Sequence, residues 1–371
     1  MKKRLYFDYN ATTPLHPRVI DALILYLSKF HGNPSSLHQD GQNAKKILNN
    51  SRTLIADFLG VREDEIFFTS GCTEALNHLL THFQKNYTIF SSKLEHAAVY
   101  EVIKDSAEFL STDETLQIPK EKWKELEPGS LLVLSYANSE TGMITPIEEI
   151  GAYLASRGIP FLVDGAQALG KIPFKIPKGV TAMTFSAHKF GGPKGVGFFF
   201  LKKGIKLSPF IKGGQQELFL RAGTENLMGI VGMSAAIKSV KKEGFFSSSL
   251  RDHFEKTLLT EIPSTRINGI EPRLPNTSNI AFLGLPAEEI LIHLDLEGIA
   301  ASHGSACASG SLEPSRVLIN MGYDLDRVRS SIRFSFGYGI DKDSIDEGVL
   351  KIAKIIKHLR QVSGSESLTC Q

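Results

Sequence analysis

The sequence predicts an α/β protein: a large domain on a mainly parallel sheet, joined to a smaller α+β domain. Three observations lead there. Strand and helix patterns alternate through the first half of the chain, the signature of parallel strands covered on both faces. Near Lys241–Ser249 the composition turns polar and serine-rich, which marks a boundary. Beyond it a helix, a strand and a long helix close the chain.

The elements follow in order. Val19, Ile20, Leu23, Leu27 and Phe30 place a helix early, with these side chains on one face. Ile47, Leu48, Leu54, Ile55, Phe58 and Leu59 outline a second helix, stopped by Gly60. A strand over Ile66–Thr69 runs into Ser70-Gly71-Cys72-Thr73, and a helix continues from Thr73 to Phe83. Strands are predicted at Tyr87–Ser91, Leu131–Tyr136, Ile159–Val163, Ala182–Ser186 and Val196–Leu201. Thr145-Pro146-Ile147-Glu148 has capping-box spacing and opens a helix that Gly158 ends. After the boundary come helix Ala287–Leu296, strand Ser331–Phe336 and helix Asp343–Leu359. The tail after Gln361 is polar and is expected to fray. We expect residues 16–245 to form the large domain, and residues 1–15 with 246–371 the small one.

Bulk properties narrow the function. The chain has 371 residues, 42% hydrophobic and 22% charged, enough for a full core. Its net charge of +2 gives no reason to expect a nucleic-acid or membrane-surface partner. No run approaches the roughly 18 apolar residues of a membrane span. After Met1-Lys2-Lys3-Arg4, the segment Leu5–Asn10 breaks too early for a secretory signal, so a cytoplasmic protein is expected. Cys72, Cys307 and Cys370 are odd in number and widely spaced, which argues against a disulfide framework or a CxxC metal site.

Ligands of open parallel sheets bind at the carboxyl ends of the strands, so the strand ends carry the chemistry. Asp164 ends Phe161-Leu162-Val163-Asp164. It could cap a turn, or it could hold a cationic ring nitrogen protonated. One strand later, Lys189 lies between an apolar strand and the glycine-rich Phe190–Gly195 turn. A partly desolvated lysine favours the neutral amine that forms Schiff bases. Ser70–Glu74 joins a strand to a helix and offers backbone N–H groups to a phosphate, although it lacks the P-loop pattern. A phosphate cradle, an acid for a ring nitrogen and a lysine for an aldehyde are the three handles of pyridoxal 5'-phosphate. Cys307 sits among small residues from Ser302 to Ser311. An isolated cysteine is more often a buried, inert side chain, but this setting suits a thiol that must travel to a substrate. Cys72 reads as a small residue whose backbone serves the phosphate, and Cys370 as incidental.

Ordered motifs now point to a family. They are Asp8-Tyr9-Asn10-Ala11-Thr12-Thr13-Pro14, Gly32–Ser36, Glu95-His96, Glu140-Thr141-Gly142, Asp164-Gly165-Ala166-Gln167, Ser186-Ala187-His188-Lys189, Arg221–Asn226, Gly304-Ser305-Ala306-Cys307 and Ser311–Ser315. From about Leu5 to about Arg360 the chain resembles the cysteine desulfurases of the NifS/IscS type, among the class V aminotransferase-like enzymes that use pyridoxal phosphate. The resemblance implies fold-type I and a homodimer. It assigns Lys189 to the Schiff base, Asp164 to the ring nitrogen, Gln167 to the ring hydroxyl, and His96 to stacking and catalysis. Cys72, Thr73, Ser186 and His188 would surround the phosphate, with Thr224 from the other subunit. Asn138, at the cofactor, and Arg333 would hold the substrate carboxylate. Lys189 would move the Cα proton of L-cysteine, and Cys307 would take the sulfur as a persulfide, leaving alanine. No metal is implied. The sulfur would pass to an iron–sulfur scaffold or a thiolation protein.

The chain also departs from the family pattern. Ser139 stands where asparagine is often repeated, Leu218 where arginine is frequent, and His303 where a small residue is common. His303 could help deprotonate Cys307 or be an exposed loop residue. From the short polar end, Ser363–Gln371, the longer tail that some relatives use to dock scaffolds is not expected. The competing readings are a selenocysteine lyase, a small-amino-acid aminotransferase and a non-catalytic partner protein.

Overall fold

The structure is a computed structural model that describes residues 4–113, 115–304, 313–362 and 364. The chain opens on β1 (Leu5–Tyr6). Then β2 (Ile66–Thr69), β3 (Thr88–Ser91), β4 (Glu108–Phe109), β5 (Ser130–Ser135), β6 (Phe161–Asp164), β7 (Ala182–Ser186) and β8 (Gly197–Leu201) make one sheet, in the order β2-β8-β7-β6-β5-β3-β4. Only β8 runs against its neighbours. The sheet is therefore mainly parallel, as the alternation of strands and helices predicts.

Residue parity shows why both faces of this sheet are covered. Leu132, Leu134, Phe161, Val163, Phe198 and Phe200 point into one hydrophobic cluster. Their sequence neighbours Leu131, Val133, Leu162, Phe199 and Leu201 point into another. Successive strand side chains face opposite sides, so a continuous apolar run fills two cores. Helices Pro17–Lys29, Gln39–Leu59 and Leu227–Glu243 supply Val19, Leu48, Ile55, Ile230 and Ile237 to the first. Helix Cys72–Phe83 supplies Leu76 and Leu79 to the second.

The remaining strands are β9 (Thr265–Ile267), β10 (Thr277–Phe282), β11 (Ile299–Ala300) and β12 (Ser331–Ser335). β12, β10 and β9 form an antiparallel sheet, and β11 pairs in parallel with β1. A third cluster joins Phe282 and Phe334 to Phe254, Ile290 and Ile352, from helices Ser249–Glu261, Ala287–Leu296 and Lys342–Val362. Leu5 and Phe7 belong to this cluster, so the first residues of the chain pack with the last third. Among the described residues, no helix is long and apolar enough to cross a membrane.

Several local expectations need correction. In helix Pro17–Lys29 the buried face is Val19, with Leu23 and Tyr26 packed beside it, while Ile20 and Leu27 are exposed. The sequence offers apolar residues on both sides of this helix, and only the neighbouring helices select one. Thr145 is not a cap: its hydroxyl donates to the Ser135 carbonyl (2.7 Å), and helix Ile147–Ser156 starts without a side-chain cap. Glu148 is likewise diverted, accepting from the Tyr136 hydroxyl (3.0 Å). Lys241 and Lys242 lie in the last turn of helix Leu227–Glu243, because basic residues favour a helix C-terminus. Gly60 does end its helix, in the left-handed conformation (φ 73°). Cys307, Cys370 and nearly all of the polar tail lie outside the described residues.

Candidate active site

β5, β6 and β7 are parallel neighbours, so their carboxyl ends open on one side of the sheet. Asp164 is the last residue of β6, and Ser186 the last of β7. His188 and Lys189 follow in a single 3₁₀ turn. Cys72 and Thr73 open the helix after β2. One cavity is lined by Cys72, Thr73, His96, Asn138, Asp164, Gln167, Ser186, His188, Lys189 and Arg333. Of the residues nominated from sequence, Thr224 is not among these, and Cys307 lies outside the described residues. Thr224 lines a separate recess with Ser70, Gly195 and Glu225.

The floor of the cavity is tightly bonded. The Cys72 N–H donates to the Ser186 hydroxyl (2.8 Å) and fastens the helix N-terminus to the end of β7. The Cys72 thiol donates to Asp164 Oδ1 (3.2 Å) and lies 2.7 Å from the Thr184 hydroxyl. Burial, then the Asp164 charge, pushes this thiol well above its usual range, so it is no nucleophile. The Ala166 N–H also donates to Oδ1 of Asp164 (2.9 Å), leaving the other carboxylate oxygen uncommitted among the described residues. His188 is held neutral, its pKa pushed down to about 4 chiefly by burial and then by the neighbouring Lys189 and Lys194. The half-buried Lys189 amine donates to the carbonyls of Asn10 (2.7 Å) and Ala11 (2.9 Å).

His96 caps helix Ala97–Ile103: its Nδ1 accepts from the Ala98 N–H (3.0 Å), which in the neutral ring puts the proton on Nε2. Glu95 beside it is buried and accepts from the Ser135 N–H (2.7 Å) and hydroxyl (2.5 Å). Burial raises its pKa to about 7, against those hydrogen bonds. Asn138 is committed to its own turn. Its Oδ1 accepts from the Glu140 and Thr141 N–H groups (both 3.0 Å), and its Nδ2 donates to the Leu94 carbonyl (3.1 Å).

The opposite wall comes from distant parts of the chain. Arg333, on β12, is fully buried and no surface arginine. It pairs with Asp8 (2.7 Å) and donates to the carbonyls of Ser139 and Gly304 (both 3.2 Å). Its Nε is buried without a partner among the described residues. Ser139 works through its carbonyl, which any residue offers, so its departure from asparagine leaves these bonds intact. His303 is partly buried, not exposed, and its Nδ1 lies 2.8 Å from the Ser331 carbonyl. Leu218 is 63% exposed, in a left-handed conformation (φ 54°).

Sequence reasoning left Asp8, Asn10, Glu95 and Lys171 without roles. Asp8, Asn10 and Glu95 stand inside motifs quoted for the resemblance, which was the available signal. Lys171, in Gly170-Lys171-Ile172-Pro173, looks like a solvated turn residue.

The pattern of the Aminotransferase class-V family matches residues 5–347. The chain is 40% identical to a protein named cysteine desulfurase from Nostoc sp., over 97% of this chain and 94% of that protein. It is 38% identical to a cysteine desulfurase IscS of Dictyoglomus turgidum, over 98% and 97%. Among solved structures, a NifS-like protein superposes with a TM-score of 0.89 at 31% identity, covering 96% of this chain and 100% of that one. A NifS-like protein from Rickettsia africae gives 0.87 at 31%, over the same shares. With this match in sequence and in fold, and with a cavity at the strand ends where such a site belongs, the chain is a member of the class-V aminotransferase family, in its NifS/IscS-type group.

Proposed function

We propose that this chain is a pyridoxal-phosphate-dependent cysteine desulfurase, converting L-cysteine to L-alanine with the sulfur passed on as a persulfide on Cys307. One observation carries the reading: Lys189, Asp164, the helix N-terminus at Cys72 and Arg333 line a single cavity. The cofactor has an anionic phosphate, a ring nitrogen that must stay protonated and an aldehyde. The residues present fit each of these. Cys72, Thr73, Ser186 and His188 would hold the phosphate at the helix N-terminus. Asp164 would hold the ring nitrogen, Gln167 the ring hydroxyl, and the amine of Lys189 the aldehyde, with His96 stacked on the ring. When bound, the cofactor supplies an acceptor for the electrons released at the substrate Cα.

The protein's own groups do the rest. Asp164 is buried and keeps one carboxylate oxygen uncommitted among the described residues, so it would accept the N–H of a protonated ring nitrogen. Two main-chain carbonyls aim the Lys189 amine, which takes the proton from Cα and later returns one. Arg333 has one buried N–H left, which would donate to a carboxylate. Asn138 borders the same position, its amide oriented by its turn. Arg333 also holds the carbonyl of Gly304, three residues before Cys307. His303, with its Nδ1 facing a carbonyl, keeps Nε2 as an acceptor that can serve the Cys307 thiol.

Curated relatives aligned over nearly the whole chain are named cysteine desulfurases, which favours this reading over a selenocysteine lyase or a plain aminotransferase. The same reading makes the protein a cytoplasmic homodimer, with Thr224 of one copy reaching the phosphate of the other. Residues 16–245 form its cofactor domain, and residues 1–15 with 246–371 the domain that carries Cys307. The sulfur goes to an iron–sulfur scaffold or a thiolation protein. The test is Cys307→Ser. The variant should stay yellow with bound cofactor and make no alanine from cysteine. Turnover of cysteine at the wild-type rate would sink the role given to Cys307.

A further inference from the structure

Lys171 is the feature that the reaction does not yet use. Its side chain is fully buried. A buried ammonium ordinarily has a carboxylate partner, yet no ion pair holds Lys171 among the described residues. Its Nζ donates instead to two amide oxygens, Asn10 Oδ1 (2.6 Å) and Gln167 Oε1. Two acceptors match the two N–H bonds of a neutral amine. Burial, with the nearby charges of Lys189 and Arg333, drives its pKa well down in the same direction.

The consequence falls on Gln167. An amide can turn either end toward a neighbour, and its surroundings decide which. Lys171 presents donors, so it takes the Gln167 oxygen. The Gln167 NH2 is thereby turned the other way, where it donates to the Asn10 carbonyl (3.2 Å). That bond uses one N–H and leaves the second for the cavity that Gln167 lines. Asn10 closes the clamp from its other side, since its main-chain carbonyl also receives the Lys189 amine.

We propose that Lys171 is a positioning residue that locks the Gln167 amide with its NH2 toward the cavity, as a donor to the ring hydroxyl of the cofactor. This rests on the reading of the cavity as the cofactor site. A donor at the ring oxygen disperses its negative charge and so weakens its hold on the proton of the neighbouring lysine–cofactor linkage. Without Lys171 the amide is free to turn its oxygen that way.

The test is a pH titration of the visible cofactor band in purified holoenzyme. Lys171→Met should raise the midpoint by roughly half a unit to one unit, the size expected for one hydrogen bond. In a Gln167→Leu background the same substitution should shift it no further. A wild-type midpoint in Lys171→Met, or an equal shift in both backgrounds, overturns the proposal. Should Lys171→Met fail to fold, Lys171→Gln keeps one donor and should show a smaller rise, and no rise there overturns it equally. Lys189→Ala serves as the separate control. If that variant keeps the same band and titration as wild type, the cofactor reading itself has failed, whatever Lys171 does.

Discussion

The two walls of the cavity are built in different ways. The floor, with Asp164, Ser186, His188 and Lys189, comes from two adjacent strands and the turn after them, within one short stretch of chain. The opposite wall joins Asp8, Ser139, Gly304 and Arg333, and the Asp8–Arg333 ion pair spans 325 residues. The floor is held by the backbone of a sheet that would exist without the site. The wall is held by the site's own side chains, with a buried guanidinium tying three segments together. Chemistry and stability should therefore separate on the floor and coincide on the wall.

The largest effects should come from one substitution on each side. Asp164→Asn keeps the size and the Oδ1 acceptor, so its unfolding free energy should stay within about 1 kcal/mol of wild type. Its kcat for alanine formation should fall by roughly a hundredfold or more, because a charge at the reacting ring is lost. Arg333→Met should lose both. It strands Asp8 and three segments of chain, at about 3 kcal/mol in denaturant unfolding, and it raises the KM for cysteine. If the two variants lose stability equally, the distinction between floor and wall is wrong.

A smaller effect comes from pH. The folded-state pKa of Glu95, about 7, lies above its ordinary value of 4.5. The folded state thus holds this proton more tightly than the unfolded one. The stability it contributes is full below pH 4.5 and is lost as pH rises through 7. His188 runs oppositely: its pKa of about 4 lies below the ordinary 6.5, so its contribution is present above 6.5 and lost as pH falls through 4. The two oppose each other between pH 4.5 and 6.5. Glu95→Gln should gain stability relative to wild type as pH rises from 4.5 to 7, by up to about 3 kcal/mol. A constant difference across that range would show that Glu95 does not carry the proton.

The smallest effect is expected at Ser139. Because the wall uses its carbonyl and not its hydroxyl, Ser139→Asn should change kcat/KM by less than about twofold. A larger change would place the side chain itself in the site.

The residues also differ in how legible they were. Asp164 and Lys189 could be read from sequence because a strand pattern gives direction, and parallel strands send their ends to one side. The alternation of strands and helices likewise determined the mainly parallel sheet, and its continuous apolar runs determined two covered faces. Other features depend on what lies across a gap. Nothing local in helix Pro17–Lys29 says that Val19 is buried and Leu27 is not. Thr145 has a cap's spacing, but the Ser135 carbonyl on the adjoining strand is the acceptor it meets. Lys171 looks like a turn lysine until Asn10, 161 residues away, is brought to its amine. Sequence by itself determined the sheet, the strand ends and the residues they carry, because those follow from periodicity and chain direction. Only the tertiary structure decided which buried charges have partners and which amides are turned, because a hydrogen bond depends on distances that no spacing in the chain encodes.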